Sequence, residues 1–242
     1  PFTTIYSFKT VKDIKKIIKK NKINIIHVHN TLPLISPSIY YVAKKYNIKV
    51  VQTVHNFRFI CPNGLLYRDN HICEECVNNG LKCAIKHNCY RNSKLQTIIN
   101  VITMKIHRKT GIYKDINFIC LTKFNKEMLL KQEQIDKNKV YIKPNYINVS
   151  NIKRVPFKDR KNQFTYVGRL VESKGIKDLL YAWKSIKSTL LVYGDGPEKK
   201  WCQNFIKENN LSNVKLMGFQ DKSIFLKEIS YSKALIVPSR WY

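Results

Sequence analysis

The sequence predicts an α/β protein made of two parallel-sheet units. Three observations carry this. Strand-sized runs of apolar residues recur along the 242 residues. Amphipathic stretches of helical period separate them. One hydrophilic stretch, 150–162, divides the series in two. Strands apolar on both faces that alternate with helices belong to parallel sheets covered by those helices.

The elements follow in order. VKDIKKIIKKNK (11–22) puts Val11, Ile14, Ile17 and Ile18 on one helical face and six lysines on the rest. INIIHVH (23–29) reads as a buried strand, 36–47 as a helix and IKVVQTVH (48–55) as the next strand. Residues 56–92 break the rhythm with Pro, Gly, Asn and a group of cysteines, and read as an insertion. A helix is expected at 93–110, a strand at NFICL (117–121) and a helix at 123–132. KVYIKPNYI (139–147) reads as a strand running into a loop. Beyond the linker, QFTYVG (163–168), STLLVYG (188–194), NVKLMG (213–218) and KALIVPS (233–239) are four strands. Helical patterns lie between them at 174–186, 197–209 and 221–230. The expected domains are 1–149, carrying the Cys-rich insertion at 56–92, and 150–242.

Composition narrows the function. A hydrophobic fraction of 44% with 12% aromatic residues excludes global disorder. No apolar run reaches the ~18 residues of a membrane-spanning helix. The opening PFTTIYSFKT has neither the basic nor the apolar region of a secretory leader. Seven cysteines, an odd count, with no leader argue against a disulfide scaffold, so the expected location is cytoplasmic. Net charge is +28, from 44 basic and 16 acidic residues. That invites nucleic acid or an anionic membrane as partner. Yet only eight of the basic residues are Arg, and phosphate readers favour the Arg fork. Lys, Asn and Ile share AT-rich codons, which accounts for part of the excess. No nucleic-acid partner is expected.

The chemistry concentrates at the strand ends of the second unit. In YVGRLVESKG (166–175) a strand ends at Gly168 and a helix is expected from about Lys174. Gly168 permits close backbone approach at the edge where open α/β sheets bind ligands. A helix N-terminus favours anions, Arg169 offers a fork and Lys174 a point charge. Together they suit a diphosphate. The blander reading is a turn with two solvated cations. LLVYGDGPEKK (190–200) repeats the design one unit later through Gly194 and Gly196. NVKLMGFQ (213–220) ends a third strand at Met217, Gly218 and Phe219, and LIVPSRWY (235–242) a fourth at Pro238 and Ser239.

This order resembles the donor domain of glycosyltransferase family 4: GRL-x3-KG, then GDGP, then V-x-LMGF, then VPS with an aromatic pair. IIHVHN (25–30), VVQTVHNFRFICPNG (51–64) and VYIKPNYI (140–147) are similar to the family's acceptor-domain segments. The resemblance runs from about residue 20 to Tyr242. It implies a GT-B fold, with two Rossmann-like domains facing a cleft, and a retaining transfer of sugar from a nucleotide-diphosphate donor. It implies that Arg169 and Lys174 hold the donor diphosphate, which needs no divalent cation. It places Met217, Gly218 and Phe219 by the nucleotide base, with Gly168 and Gly194 lining the same cleft. His55 looks like the family's histidine near the transferred sugar, and Asn145 sits near the hinge. The donor is expected to be of UDP or GDP type and the acceptor a glycan or lipid-linked hydroxyl, in bacterial surface-polysaccharide synthesis. The family's E-x7-E element after the PS strand, and the Gly-rich N-terminal loop, are not in the sequence. The chain therefore reads as an internal fragment with a truncated second domain, itself inactive.

Three features stand apart. Cys73, Cys76, Cys83 and Cys89 form C-x2-C-x6-C-x5-C, with His71, His87 and Cys61 nearby. The first pair suits a structural zinc half-site. The second is spaced more widely than a zinc ribbon's, so a reduced-thiol loop and redox chemistry stay open. Cys120 and Cys202 read as core or helix residues. His27 and His29 share one strand face and read as hydrogen-bonded cleft residues before metal ligands. The lysine face of 11–22 reads first as a surface helix. Its alternative is a peripheral contact with anionic lipid at the inner face of the plasma membrane. Two rival functions are a zinc-stapled nucleic-acid binder and a fold-related nucleotide-sugar epimerase. The first leaves the four Gly and Pro turns unexplained. The second lacks the pairing of Arg169 with Lys174.

Overall fold

A computed structural model of the chain describes residues 2–31, 35–148 and 155–242. It divides into two units: Pro1–Arg68 with Cys73–Tyr146, and Asp69–Ile72 with Ile147–Tyr242.

In the first unit, α1 (Phe8–Lys20) starts where the Ser7 side chain accepts from the Thr10 amide. Val11 is buried, and Ile14 and Ile18 pack on the core. Ile17 stays 49% exposed, so the apolar face is narrower than the pattern implies. The strands are β1 (Ile25–Val28) and β2 (Lys49–Val54), with α2 (Ser38–Lys45) between them. The insertion holds a two-stranded ribbon, β3 (Tyr67–Arg68) with β4 (His71–Ile72). It also holds two short helices, α3 (Glu75–Asn78) and α4 (Lys82–Lys86). Next come α5 (Lys94–Lys109), β5 (Asn117–Cys120), α6 (Lys123–Leu130) and β6 (Val140–Ile142). The sheet order is β1-β2-β5-β6, every pairing parallel. β6 is shorter than its apolar pattern because Pro144 cannot extend a ladder. Phe118, fully buried at the sheet centre, meets the Phe59 ring edge-on at 5.3 Å. Such a site contributes about 3–5 kcal/mol against truncation to Ala.

The second unit runs β7 (Lys161–Val167), α7 (Ile176–Trp183), β8 (Thr189–Tyr193) and α8 (Lys199–Glu208). It continues through β9 (Val214–Gly218), α9 (Lys222–Tyr231) and β10 (Ser232–Ile236). The sheet order is β10-β7-β8-β9, again all parallel. The chain winds outward from β7 to β9, then returns to the other side of β7. The order therefore reverses between β7 and β10. The linker predicted over 150–162 is shorter at its end, because β7 already starts at Lys161; residues 149–154 lie outside the described residues. The helix expected from Lys174 begins at Ile176 instead. Glu172–Lys174 form a 3-10 turn and Gly175 caps α7 with a left-handed φ of 67°. The core joins Tyr166, Leu180, Leu190, Val192 and Cys202. The buried Trp183 indole donates to the Ser188 carbonyl at 2.8 Å, tying α7 to the approach to β8.

Candidate functional site

In an open parallel sheet, the crevice for ligands opens at the C-terminal strand ends where the strand order reverses. In the second unit that point lies between β7 and β10. The turns after β7, β8 and β9 are stitched together by backbone. Gly168 donates to the Tyr193 carbonyl at 3.0 Å, Gly194 to Gly218 at 2.8 Å and Leu170 to Asp195 at 2.9 Å. Gly194 is required for this closeness. Its φ is 136°, and a Cβ there would lie 1.9 Å from the Gly168 carbonyl oxygen. The lattice of turns exists only because position 194 has no side chain.

Beside these turns opens a cavity of about 290 Å³, walled by Gly168, Arg169, Tyr193, Gly194, Phe219 and Phe225. Its lining is mostly apolar and aromatic, with two charged residues, Arg169 and Asp195. A flat heterocycle with an attached anion matches both characters. Phe219 is 81% exposed, an aromatic face held out without a packing partner large enough to cover it. Met217 and Gly218 end β9 next to it.

Lys174 lies on the 3-10 turn ahead of α7, outside that cavity's lining, and its ammonium sits 4.9 Å from the Trp241 ring centre. Burial, and then the nearby Arg169 charge, push its pKa below the ordinary lysine value. The two cations thus act on each other. An anion between them would relieve that repulsion. The backbone after β10 returns to the same turn: Arg240 donates its amide to the Ser173 carbonyl at 3.0 Å and its guanidinium to the Asp178 carboxylate. Arg240 holds Asp178 below the usual carboxylate range.

His55 belongs to a separate cavity, in the first unit. His29 Nδ1 and His55 Nε2 lie 2.8 Å apart, sharing one proton, and the rings stack with centres 5.1 Å apart. His27 Nε2 meets Thr53 Oγ1 at 2.8 Å. Desolvation, then the neighbouring His29 and His27, push the His55 pKa below its ordinary value. His55 is therefore a neutral hydrogen-bonding group at pH 7. Asn145 follows Pro144 in an exposed irregular stretch.

The cysteine cluster does not form the expected zinc site. Among the described residues, no three His, Cys, Asp or Glu side chains gather on a point that could hold a metal ion. The reason is packing. Cys76 and Cys89 turn inward against Leu81, Ala84, Val101 and Met104. Burial, and then the neighbouring cysteines, raise their thiols to about 12 and about 11. His87 turns to Glu75 at 3.4 Å. Cys120 and Cys202 are fully buried.

Sequence reasoning missed Tyr193, Asp195, Gln220 and Phe225 at the second-unit cavity and Arg58 at the first. Asp195 and Gln220 directly follow Gly194 and Phe219, so adjacency was their only signal. Phe225 arrives from α9, and nothing in the pattern marks it.

The fold is that of an α/β protein made of two parallel-sheet units, one of which carries a glycine-turn crevice at its strand ends. The sequence pattern described as Glycosyltransferase Family 4 matches residues 2–151, and that of the glycosyl transferases group 1 matches residues 149–241. The chain belongs to glycosyltransferase family 4. It is 32% identical over 126 residues to an uncharacterized glycosyltransferase of Methanocaldococcus jannaschii, covering 50% of this chain and 33% of that protein. It is 24% identical over 243 residues to an uncharacterized 42.6 kDa protein in the cps region of Klebsiella pneumoniae, covering 98% of this chain and 56% of that one. Among solved structures, Anabaena HepE in complex with UDP matches with a TM-score of 0.62 at 12% identity, over 95% of this chain and 56% of HepE. Sucrose-phosphate synthase of Thermosynechococcus elongatus matches with a TM-score of 0.61 at 18% identity, over 99% and 55%. These likenesses establish a GT-B type fold. The chain spans a third to rather more than half of the curated relatives it matches.

Proposed function

We propose that this chain serves a retaining glycosyltransferase that moves a sugar from a nucleoside-diphosphate donor to an acceptor hydroxyl. The observation that carries the donor half is the pair of mutually repelling cations, Arg169 and Lys174, beside an aromatic cavity at the C-terminal ends of β7, β8 and β9. The nucleoside would lie against Phe219 and Phe225, near Met217 and Gly218, with Gly168 and Gly194 leaving room for it. Arg169 and Lys174 would hold the diphosphate.

The chemistry follows from the charge. As the bond from the sugar's anomeric carbon to the phosphate oxygen breaks, negative charge grows on the leaving diphosphate. Fixed cations stabilise it more in the transition state than in the ground state. The acceptor oxygen attacks from the same face, forming the new bond. Its proton passes to the departing phosphate oxygen, so atoms and charge balance and configuration is retained. No metal ion is required for this route. Neutral His55 would hydrogen-bond the transferred sugar without adding charge. The assignment of residues 1–149 to the acceptor and 150–242 to the donor belongs to this proposal.

The Klebsiella relative in a cps region supports surface-polysaccharide synthesis as the setting, with a glycan or lipid-linked acceptor. HepE was crystallised with UDP, which favours a UDP-type donor. No helix among the described residues is long and apolar enough to cross a membrane. A peripheral position at the inner membrane face, resting on the lysines of α1, fits a lipid-linked acceptor.

Titration calorimetry on the 242-residue chain tests the proposal. UDP, GDP and ADP are compared, with an oligonucleotide as the rival ligand. Selective binding of one diphosphate, weakened in Arg169→Ala, is expected. No diphosphate binding together with salt-dependent oligonucleotide binding would overturn it.

A further inference from the structure

We propose that Trp241 is a positioning residue of the donor site. Its ring holds the Lys174 ammonium in place for a diphosphate, and the pairing of Arg240 with Asp178 holds Trp241. The inference rests on the reading of this unit as a nucleoside-diphosphate site. It adds a residue that works through Lys174 rather than through the ligand.

Residues 237–242, after β10, form neither helix nor strand, yet they are seated firmly on the turn that carries Lys174. The Arg240 amide donates to the Ser173 carbonyl at 3.0 Å. The Arg240 Nε and Nη2 groups share one edge of the guanidinium and donate to the two oxygens of the Asp178 carboxylate. Asp178 stands in the first turn of α7. Gly175, the cap of that helix, lies against Pro238. A Cβ there would meet the Pro238 carbonyl oxygen at 2.0 Å. The contacts at 173, 175 and 178 straddle Lys174 in sequence. The segment that makes them delivers Trp241 to the lysine, its ring centre 4.9 Å from the ammonium.

A ring suits this task better than an acid. Fixing a lysine side chain costs rotamer freedom, and the Arg169 charge drives the ammonium away. Something must therefore hold it. The face of an indole attracts a cation without neutralising it. A carboxylate would hold the ammonium too, but it would cancel the charge and repel an arriving diphosphate. The same unit uses that other solution elsewhere. Lys177 lies 5.2 Å from the Trp201 ring centre and also pairs with Glu198 at 2.9 Å. Lys199 pairs with Asp195 at 2.6 Å. Among the described residues no carboxylate pairs with Lys174, so its charge stays available for a ligand. The Arg240 charge, by contrast, is spent on Asp178.

The test is an NMR titration of the 242-residue chain with UDP and with uridine, which lacks the diphosphate, read at the Phe219 amide. The Lys174 side-chain methylene signals, assigned by their loss in Lys174→Arg, report whether the lysine lies on a ring face, which shifts them upfield. Trp241→Leu should weaken UDP about fivefold to tenfold, the scale of one cation–π contact, and leave uridine binding unchanged. Its Lys174 signals should move downfield before any ligand is added. Trp241→Phe, which keeps an aromatic face, should restore most of the affinity. Asp178→Asn, which removes the charge from the fork, should act as Trp241→Leu does, to a smaller extent. Equal losses of UDP and uridine would mean a merely structural role and overturn the inference. So would unmoved Lys174 signals, or full UDP affinity in Trp241→Leu beside a loss in Lys174→Ala; the donor reading would then stand without it. No UDP binding by the unaltered chain would remove the donor reading and the inference together.

Discussion

The two sheets share a parallel four-stranded plan, yet their strand ends are built from different materials. In the second unit the ends are glycine, and the cavity there is shaped by backbone geometry. In the first they carry histidines and Arg58, and the cavity is walled by side chains brought together by packing. Residues 147–242 contain no histidine at all. A glycine turn is written in the local sequence. The pairing of His29 with His55, 26 positions apart, exists only once β1 and β2 are in register.

That contrast can be broken at its strongest point first. Gly194→Val should place side-chain atoms against the Gly168 carbonyl and impose a φ that L-residues avoid. We expect the cavity to close and UDP affinity to fall more than about 100-fold, with stability dropping by about 3 kcal/mol or more. Calorimetry and urea unfolding read both. An equal effect from Val at Gly80, whose Cβ position meets nothing within 4 Å, would deny position 194 any special role.

The core comparison comes next. Phe118→Ala removes a ring from the centre of the first sheet and should cost about 3–5 kcal/mol in urea unfolding. A loss below about 1 kcal/mol would mean that the aromatic contact with Phe59 does not organise the unit.

Arg169→Ala or Lys174→Ala should each weaken UDP binding about 10- to 100-fold, the scale of one charge-assisted hydrogen bond, with the melting temperature nearly unchanged. Unchanged binding in both would remove the diphosphate role.

Removing metal sharpens the contrast within the insertion. Overnight dialysis against a chelator should leave the melting temperature where it was, because the thiols around Cys76 pack rather than ligate. A marked drop would restore a metal to the loop.

The smallest effect is a pH dependence. Burial lowers the His107 pKa, and the neutral ring is held by the Ile5 carbonyl at 3.0 Å and the Tyr41 hydroxyl at 2.8 Å. The unfolded chain therefore binds more protons near its ordinary pKa of about 6.5. Stability is full above that value and falls as pH drops through it toward the folded pKa. Urea midpoints taken between about pH 8 and pH 5.5 should decline, and His107→Phe should flatten the slope. An unchanged slope would move the effect to the His29–His55 pair.

How much of this was legible in the sequence follows the same division. The strands showed because each is a continuous apolar run, and the crevice turns because Gly168, Gly194 and Gly218 punctuate them. Strand order was not legible, since β10 returns beside β7 through contacts distant in sequence, such as Ser232 with Thr165, 67 residues apart. The insertion was least legible. Leu66, Asp69, Asn70, Asn88, Arg91 and Asn92 all take positive φ there, and its two helices are too short for any period to show. The cysteine spacing suggested zinc because spacing ignores which way a thiol points; Cys76 and Cys89 point into a small apolar cluster. Arg58 stood inside a segment that carried the family resemblance, yet only the fold brings it to the cavity at the ends of β1 and β2.

The central claim is that the glycine-turn crevice of the second unit is the nucleotide site. An amide NMR titration of the 242-residue chain with UDP tests it most directly. The account predicts saturable shifts centred on Gly168, Arg169, Gly194 and Phe219, with the signals of β1 and β2 unmoved. Shifts confined to the β1 and β2 ends, or none at millimolar UDP, would contradict it.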